Sequence, residues 1–507
     1  MIQANPSLWA PLKGLPLPLD IILHVFDVGT FDSPDLEDRM AFPLLVSQVN
    51  KSWRGLALQA SRLWSSIVYL GHPKFTLIPP SRRKVKPSYY YPLINLFLER
   101  SRTHPLTIRL DLRHNDHNYT VREVDLTGSG HPIDPLLHLL TPHGSRFLHF
   151  IFIANTWSDV VQVLRYHIFN LYAPLLESIE LTRAYLSQTF RQNFEPRALL
   201  WRVPFCVRPD GEAERTENLG SVTQSRWPNV KHVILNGTPL KWRLWCFTNL
   251  TSLTISYLAE DVRPSALDLR NVLRSNAHCL KSFEIHGASP VESDESMHDP
   301  IELPQLRELS IGYPHCHDAI WFIRSLHTPS LTSLEICDVW QCYRQFCEHV
   351  EKLNFNSIRH HSRDASELCG LILEHMPFPL DKIQYLTLRY VTLCTGGQIK
   401  LIDNITADDA LGFDNVFLPV AARLLTSLPI LDTLILECTD FEPLAFHIFR
   451  NPSKPPKHPL PTLQIQSYDP WRSGYTDSPA RAQCRTSHHR DIEVDQTANS
   501  NGMITSS

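Results

Sequence analysis

The sequence predicts an α/β protein with a short all-α N-terminal module, a long region of repeated strands and helices, and a disordered C-terminal tail. Three observations support this. Apolar residues recur at helical spacing between residues 17 and 64, a short apolar pattern returns nine times between residues 147 and 436, and residues 472–507 are rich in Ser, Thr, Asn, Gln and Arg. The predicted boundaries are 14–66 (helical module), 67–104 (linker and helix), 105–466 (repeating region) and 467–507 (tail).

The N-terminal module is predicted to contain amphipathic helices. Pro18 suits the first turn of a helix, where its missing N–H costs nothing, and Asp20 places negative charge at the positive end of the helix dipole. Apolar residues on one broad face of this helix follow: Ile21, Ile22, Val25 and Phe26. A second set at helical spacing is Phe42, Leu45, Val46, Val49, Trp53 and Leu56. A segment of about fifty residues cannot bury a stable core alone, so it must pack against another surface of this chain or of another protein.

A linker with prolines and basic residues, 72–87, separates the module from the repeating region. Its basic run, 81–86, is a solvated linker or, alternatively, a nuclear-import signal. The spacing of apolar residues then predicts a helix over 91–102, and period-two alternation predicts a strand over 105–112.

The pattern that returns is apolar-x-x-apolar-x-apolar. It occurs at Phe147/Phe150/Phe152, Leu176/Ile179/Leu181, Val230/Val233/Leu235, Leu250/Leu253/Ile255, Leu280/Phe283/Ile285, Leu306/Leu309/Ile311, Leu331/Leu334/Ile336, Ile383/Leu386/Leu388 and Leu431/Leu434/Leu436. Five of the eight intervals between starts are 20 to 30 residues, and the other three, of 48 to 54, contain a degenerate unit or an insertion. Helical patterns lie between, at 266–275, 319–326 and 416–428.

This arrangement predicts an irregular leucine-rich-repeat solenoid. A strand and a helix repeated about every 20–29 residues are typical of such repeats, in which each unit buries its apolar face only against its neighbours. The alternative is a non-repeating α/β domain whose strands share the pattern. The tail has too few large apolar residues to offset the entropy of ordering, so we predict that it is disordered.

Composition and charge exclude several classes of function. The net charge of −4 gives no electrostatic footprint for nucleic acid or an acidic membrane. We find no signal peptide and no apolar run of about 18 residues, so we expect a soluble cytoplasmic or nuclear protein with its 11 cysteines reduced. We expect neither a nucleic-acid partner nor a membrane.

We find no nucleophile elbow, phosphate-binding loop, dinucleotide motif or zinc-protease motif. The nearest set to a metal site is Cys337, Cys342, Cys347 and His349, with His315, Cys316 and His317 upstream. Zinc sites prefer cysteine pairs with about 2–4 residues between them, so we interpret these cysteines as core residues. We therefore predict a non-catalytic protein with no cofactor and no metal; an enzyme lacking recognisable motifs is the third and weakest hypothesis.

The residues 17–64 resemble an F-box, the module that docks the Skp1 subunit of cullin-based ubiquitin ligases. Leu17 and Pro18 match the Leu-Pro that opens the motif, and Asp20 replaces its glutamate. Ile21, Ile22, Val25 and Phe26 match the first helix, and Val49 and Trp53 match the second signature. The segment between Phe26 and Phe42 is longer and more acidic than the usual F-box connector. The combination with degenerate repeats is similar to that of fungal F-box proteins.

The resemblance implies a substrate adaptor of an SCF-type (Skp1–cullin–F-box) ubiquitin ligase. The Skp1-binding residues it implies are Leu17, Pro18, Ile21, Ile22, Val25, Phe26, Val46, Val49 and Trp53. The repeat region would hold an unknown target protein, and ubiquitin transfer would occur on other subunits. The alternative is a repeat scaffold whose N-terminal helices only cap the repeats. If Ile22, Phe26 and Val49 all pack onto the first repeat and none is exposed, the alternative is favoured.

Overall fold

A computed structural model describes residues 18–33, 36–71, 91–113, 133–164, 172–184, 193–194, 227–245, 247–290, 300–339, 365–374, 379–391, 424, 427–437 and 462–466. The α-helices in these ranges are α1 (Leu19–Phe31), α2 (Leu36–Val49), α3 (Lys51–Gln59), α4 (Pro92–Arg100), α5 (Asp134–Leu140), α6 (Trp157–Gln162), α7 (Ala266–Arg274), α8 (Cys316–Arg324) and α9 (Ser366–Glu374). The strands are β1 (Ser66–Leu70), β2 (Leu106–Asp111), β3 (Phe147–Ala154), β4 (Ser178–Arg183), β5 (His232–Asn236), β6 (Ser252–Ser256), β7 (Ser282–His286), β8 (Ile301–Glu302), β9 (Glu308–Tyr313), β10 (Leu326–His327), β11 (Ser333–Asp338), β12 (Tyr385–Arg389), β13 (Thr433–Glu437) and β14 (Thr462–Gln466).

Twelve of these strands form one parallel sheet in chain order, β1-β2-β3-β4-β5-β6-β7-β9-β11-β12-β13-β14. The two shortest strands, β8 and β10, pair separately with each other. The predicted α/β class is thus confirmed, with three helices before the first strand of the sheet.

All nine repeated triplets coincide with strands of this sheet. The second and third apolar residues of each triplet lie within a strand, and all of them are at most 3% exposed. They are also in register: Leu253 on β6 pairs with Val233 on β5 and with Phe283 on β7. The result is a continuous apolar ladder on one side of the sheet, which is what the period of two in each triplet predicts.

The three long intervals between triplets add no further strand to the sheet. β4 pairs directly with β5, β11 with β12, and β12 with β13, each in register. A degenerate unit that contributed its own strand would stand between these partners. The alternative of a hidden strand in these intervals is therefore excluded for the sheet.

Helices predicted from apolar spacing are found with small shifts at their ends. The helix predicted over 91–102 is α4, that predicted over 266–275 is α7, and that predicted over 319–326 is α8, which begins three residues earlier. Of the helix predicted over 416–428, only Leu424, which is helical, Ser427 and Leu428 are described. The tail beyond 466 lies outside the described residues. Phe322 of α8 contacts the inward-facing Phe283 of β7, with ring centroids 6.0 Å apart, so α8 covers the apolar side of the sheet.

Residues with positive φ, in the left-handed backbone region, follow the ends of several strands. Five residues directly after a strand have φ between 56° and 93°: Gly71, Gly237, Tyr257, Gly287 and Tyr390. At Gly237 a Cβ would lie 2.9 Å from the carbonyl oxygen of Arg183, so a side chain there meets both backbone strain and a close contact. The repeated conformation turns the chain away from the sheet at the same point of successive units.

Candidate docking and binding surfaces

The inner face of the N-terminal module is tightly packed. Phe26 of α1 is fully buried and Val46 of α2 is 4% exposed, while Ile22 packs against the same core from a partly buried position. Trp53 of α3 meets Phe26 edge to face, with ring centroids 5.2 Å apart. Four of the nine residues implied by the resemblance therefore hold the module together.

Four others lie on the outside of the module. Pro18, at the start of α1, is exposed, and its carbonyl accepts bonds from the N–H groups of Ile21 and Ile22. Ile21, Val25 and Val49 are 44%, 49% and 55% exposed. Leu17 lies outside the described residues.

Three further exposed apolar side chains of α1 and α2 are not among the nine docking residues that the resemblance implies. Leu19, Val28 and Leu45 are 60%, 40% and 61% exposed. The signal was present, because Val28 continues the i, i+4, i+7 stripe begun by Ile21 and Val25, and Leu45 precedes Val49 by four residues. We call the six residues Leu19, Ile21, Val25, Val28, Leu45 and Val49 the outer apolar residues.

The connector between the first two helices is shorter than the sequence suggested. Helix α1 continues to Phe31 and α2 begins at Leu36. The helices extend because they pack closely: a Cβ on Gly29 would lie 2.2 Å from the ring of Phe42. Arg62 adds a link by pairing with Asp27 at 3.1 Å and lying 4.8 Å from the ring centroid of Phe31.

The module and the sheet share one core. Trp64 is fully buried, donates from Nε1 to the carbonyl oxygen of Ala57 at 2.8 Å and meets Phe97 of α4 edge to face at 5.0 Å. Strand β1, which the sequence analysis did not predict, forms the edge of the sheet, and its Val68 N–H donates to the sulfur of Met40 in α2 at 3.4 Å. Helix α2 thus covers a strand edge that would otherwise present unpaired backbone groups.

The cap alternative requires that Ile22, Phe26 and Val49 all pack onto the first repeat, and the structure does not meet this requirement for all three. Ile22 and Phe26 pack inward, but within the module, where Phe26 meets Trp53 of α3, and Val49 is more than half exposed. The module caps the sheet and also presents outer apolar residues to the solvent.

The second surface is the polar side of the sheet, opposite the apolar ladder. Hydrogen bonds run within and between its strands: within β4 Thr182 donates to Glu180 at 3.1 Å, and Asn236 on β5 donates to Thr182 at 3.2 Å. Ser256 on β6 donates to Asn236 in turn. Farther along, Arg389 lies 3.4 Å from Glu335 and 3.1 Å from Glu437. These bonds give the surface fixed side-chain positions.

Glu180 is a largely buried carboxylate at the start of this surface. Burial raises its pKa above the ordinary glutamate value, and the hydrogen bond from Thr182 and the charge of Arg109 oppose this rise. Because the ionised form is penalised in the folded state, the stability contributed by Glu180 is greatest at low pH and is lost as the pH rises through the raised pKa.

We therefore expect Glu180→Gln to stabilise the protein at neutral pH. Glutamine keeps the oxygen that accepts from Thr182 but carries no charge to desolvate. The measurement is the midpoint of urea unfolding for both proteins from pH 4 to 8. The gain should shrink toward acidic pH, and a gain that is constant or grows toward acidic pH contradicts the assignment.

The possible metal ligands do not form a site in the described part of the chain. No group of three or more His, Cys, Asp or Glu side chains able to hold a metal ion occurs there. Cys316 and Cys337 are buried, and His315 and His317 are exposed. Cys342, Cys347 and His349 lie outside the described residues.

Comparison with known proteins adds no identification. No model of a protein family matches the chain, and no curated protein is significantly similar to it. None of the described helices combines the length and apolar character needed to span a membrane.

Proposed function

We propose that this protein is a substrate adaptor of an SCF-type ubiquitin ligase, in which α1 and α2 dock a Skp1-like subunit and the sheet region holds the target. The observation that carries the proposal is the exposure of the outer apolar residues on a module whose inner face is fully packed. Several exposed apolar side chains on one small module are typical of protein–protein interfaces, where a few anchors contribute most of the affinity. The resemblance of the sequence to an F-box supports the same partner.

The target-binding region is proposed to be a leucine-rich-repeat solenoid. Twelve parallel strands in chain order and nine triplets in register support this architecture, because stacked repeats place equivalent residues side by side. Such an adaptor would not catalyse the formation of a covalent bond itself. It would raise the effective concentration of a target lysine near the ubiquitin-carrying subunit.

The alternative, a scaffold whose N-terminal helices only cap the repeats, is favoured by the shared core around Trp64 and by the cover that α2 gives to β1. It gives no reason for Val25 and Val49 to be apolar, since a solvent-facing cap surface is usually polar.

Co-expression of the full chain with a Skp1-like subunit tests the proposal. The variant Val25→Glu/Val49→Glu changes two outer apolar residues without touching the packed core. We expect its affinity for the subunit to fall by about a hundredfold or more, since each buried anchor contributes about 2 kcal/mol or more. The folded stability should change by less than about 0.5 kcal/mol per site.

The matched control is Leu267→Glu, which changes a leucine of α7 that is 55% exposed and distant in sequence from the module. It should bind like the unchanged chain. Equal binding by the double variant would overturn the docking surface, and absence of any complex with the folded chain would favour the scaffold.

A further inference from the structure

The polar side of the sheet is charged unevenly along its length. Side chains that alternate with the apolar ladder from β7 to β13 include four glutamates, Glu284, Glu308, Glu335 and Glu437. Arg389 on β12 is the one arginine or lysine among the side chains at these positions, which gives this sector a formal charge of −3. We call these four glutamates with Arg389 the acidic sector.

The corresponding positions from β3 to β6 carry one carboxylate, Glu180, and isoleucines at 151, 153 and 234. Lys281 and Arg307 come one residue before Ser282 and Glu308, and the alternation of strand side chains assigns them to the opposite side.

The glutamates of this sector are accessible and held in place. The side chain of Glu284 is 41% exposed, and those of Glu335 and Glu437 are each 24% exposed. Thr254 donates to Glu284 at 3.4 Å, and His286 lies 3.4 Å from it. Glu308 is exposed and forms no ion pair with another described residue. Arg389 is shared between Glu335 and Glu437, so its single positive charge offsets only part of their negative charge.

We propose that the acidic sector binds an extended, Lys/Arg-containing segment of the target protein. Charge complementarity carries this choice of partner. Glu284 and Glu335 are two strands apart, which is about 10 Å at a strand spacing of about 4.8 Å. A chain in the extended polyproline II conformation has three residues per turn and rises about 3.1 Å per residue, so its every third side chain lies on one face about 9 Å apart. Basic side chains at every third position therefore match the sector.

The proposal rests on the proposed function only in taking the occupant to be the target. A titration of the full chain, without any Skp1-like subunit, tests it separately from docking. The probes are two dye-labelled peptides, one of Lys-Ser-Gly repeats and one of Glu-Ser-Gly repeats, followed by fluorescence anisotropy. The basic peptide should bind, the acidic one should not, and added salt should weaken binding.

Three variants make the test specific. Glu284→Gln/Glu335→Gln should weaken binding of the basic peptide about tenfold, whereas Arg389→Gln, which removes the opposing charge, should strengthen it. Glu302→Gln changes an exposed glutamate of β8 that lies off this sheet and should have no effect. Equal affinity of the unchanged chain and the double variant, or equal binding of the two peptides, would overturn the proposal.

Discussion

Replacing Trp64 by alanine should destabilise the protein by about 3–5 kcal/mol, the cost expected for removing a fully buried tryptophan. Its ring is fully buried, meets Phe97 edge to face at 5.0 Å, and lies 4.3 Å from the guanidinium carbon of Arg100. The substitution also leaves the carbonyl oxygen of Ala57 without its bond from the indole. Trp64 therefore joins the N-terminal module to α4 and to the first strand.

The measurement is urea unfolding of the full chain together with hydrogen exchange of backbone amides. In Trp64→Ala, the protection of backbone amides from exchange should fall together in α3 and β1, because they share this core. It should remain in β9 and β11, which pair with neighbouring strands far from Trp64 along the sheet. Trp64→Phe, which keeps a ring against Phe97, is the control and should cost less. If α3 loses protection while β1 keeps it, the module and the sheet do not form one cooperative unit.

Replacing Asp318 by alanine should cost about 3–5 kcal/mol, because it removes one partner of a buried ion pair. Arg263 Nη1 lies 3.4 Å from Asp318 Oδ2, and the two side chains are only 2% and 11% exposed. Burial lowers the pKa of Arg263 and raises that of Asp318, so each charge pays for desolvation, and each opposes the shift of the other. The pair joins the loop after β6 to the first turn of α8.

A double-mutant cycle tests this interpretation. Arg263→Met/Asp318→Leu removes both charges and should be less destabilising than Asp318→Ala alone, since no buried guanidinium then lacks this carboxylate. Thermal or urea unfolding at pH 7 gives the change in the free energy of unfolding for Arg263→Met, for Asp318→Leu and for the double variant, each relative to the unchanged chain. Additive effects of the single changes Arg263→Met and Asp318→Leu in the double variant would show that the two residues are not coupled.

Nine strands of the sheet were predictable because the apolar pattern of each triplet is local to that strand. A period of two with apolar second and third positions identifies a strand wherever the other face is polar, and Leu253, Phe283 and Leu309 need no long-range information to be assigned. Strand β1 lacked such a signal. Ser66 to Leu70 follows directly on the helical module and precedes a basic linker, and its pairing with β2 is decided by contacts distant in sequence.

The candidate docking residues could be listed from the sequence, but the sequence did not show which of them are buried and which are exposed. Nine positions were implied by the resemblance, and nothing local distinguishes Phe26, which is buried, from Val25, which is half exposed. Both are apolar residues of one helix, and the direction each faces depends on where α2 and α3 pack. The same dependence explains why Leu19, Val28 and Leu45 were not included among the docking residues.

The sequence by itself determined the α/β class, the helical N-terminus and the phase of nine strands, because these follow from periodicity over a few residues. The order of the strands, the direct pairing of the strands that flank the long intervals and the shared core around Trp64 were decided by tertiary structure, since they depend on contacts between distant segments. Tertiary structure also collected Glu284, Glu308, Glu335 and Glu437 on one face. These residues span 154 positions of the sequence, and only the parallel register of successive strands makes them neighbours.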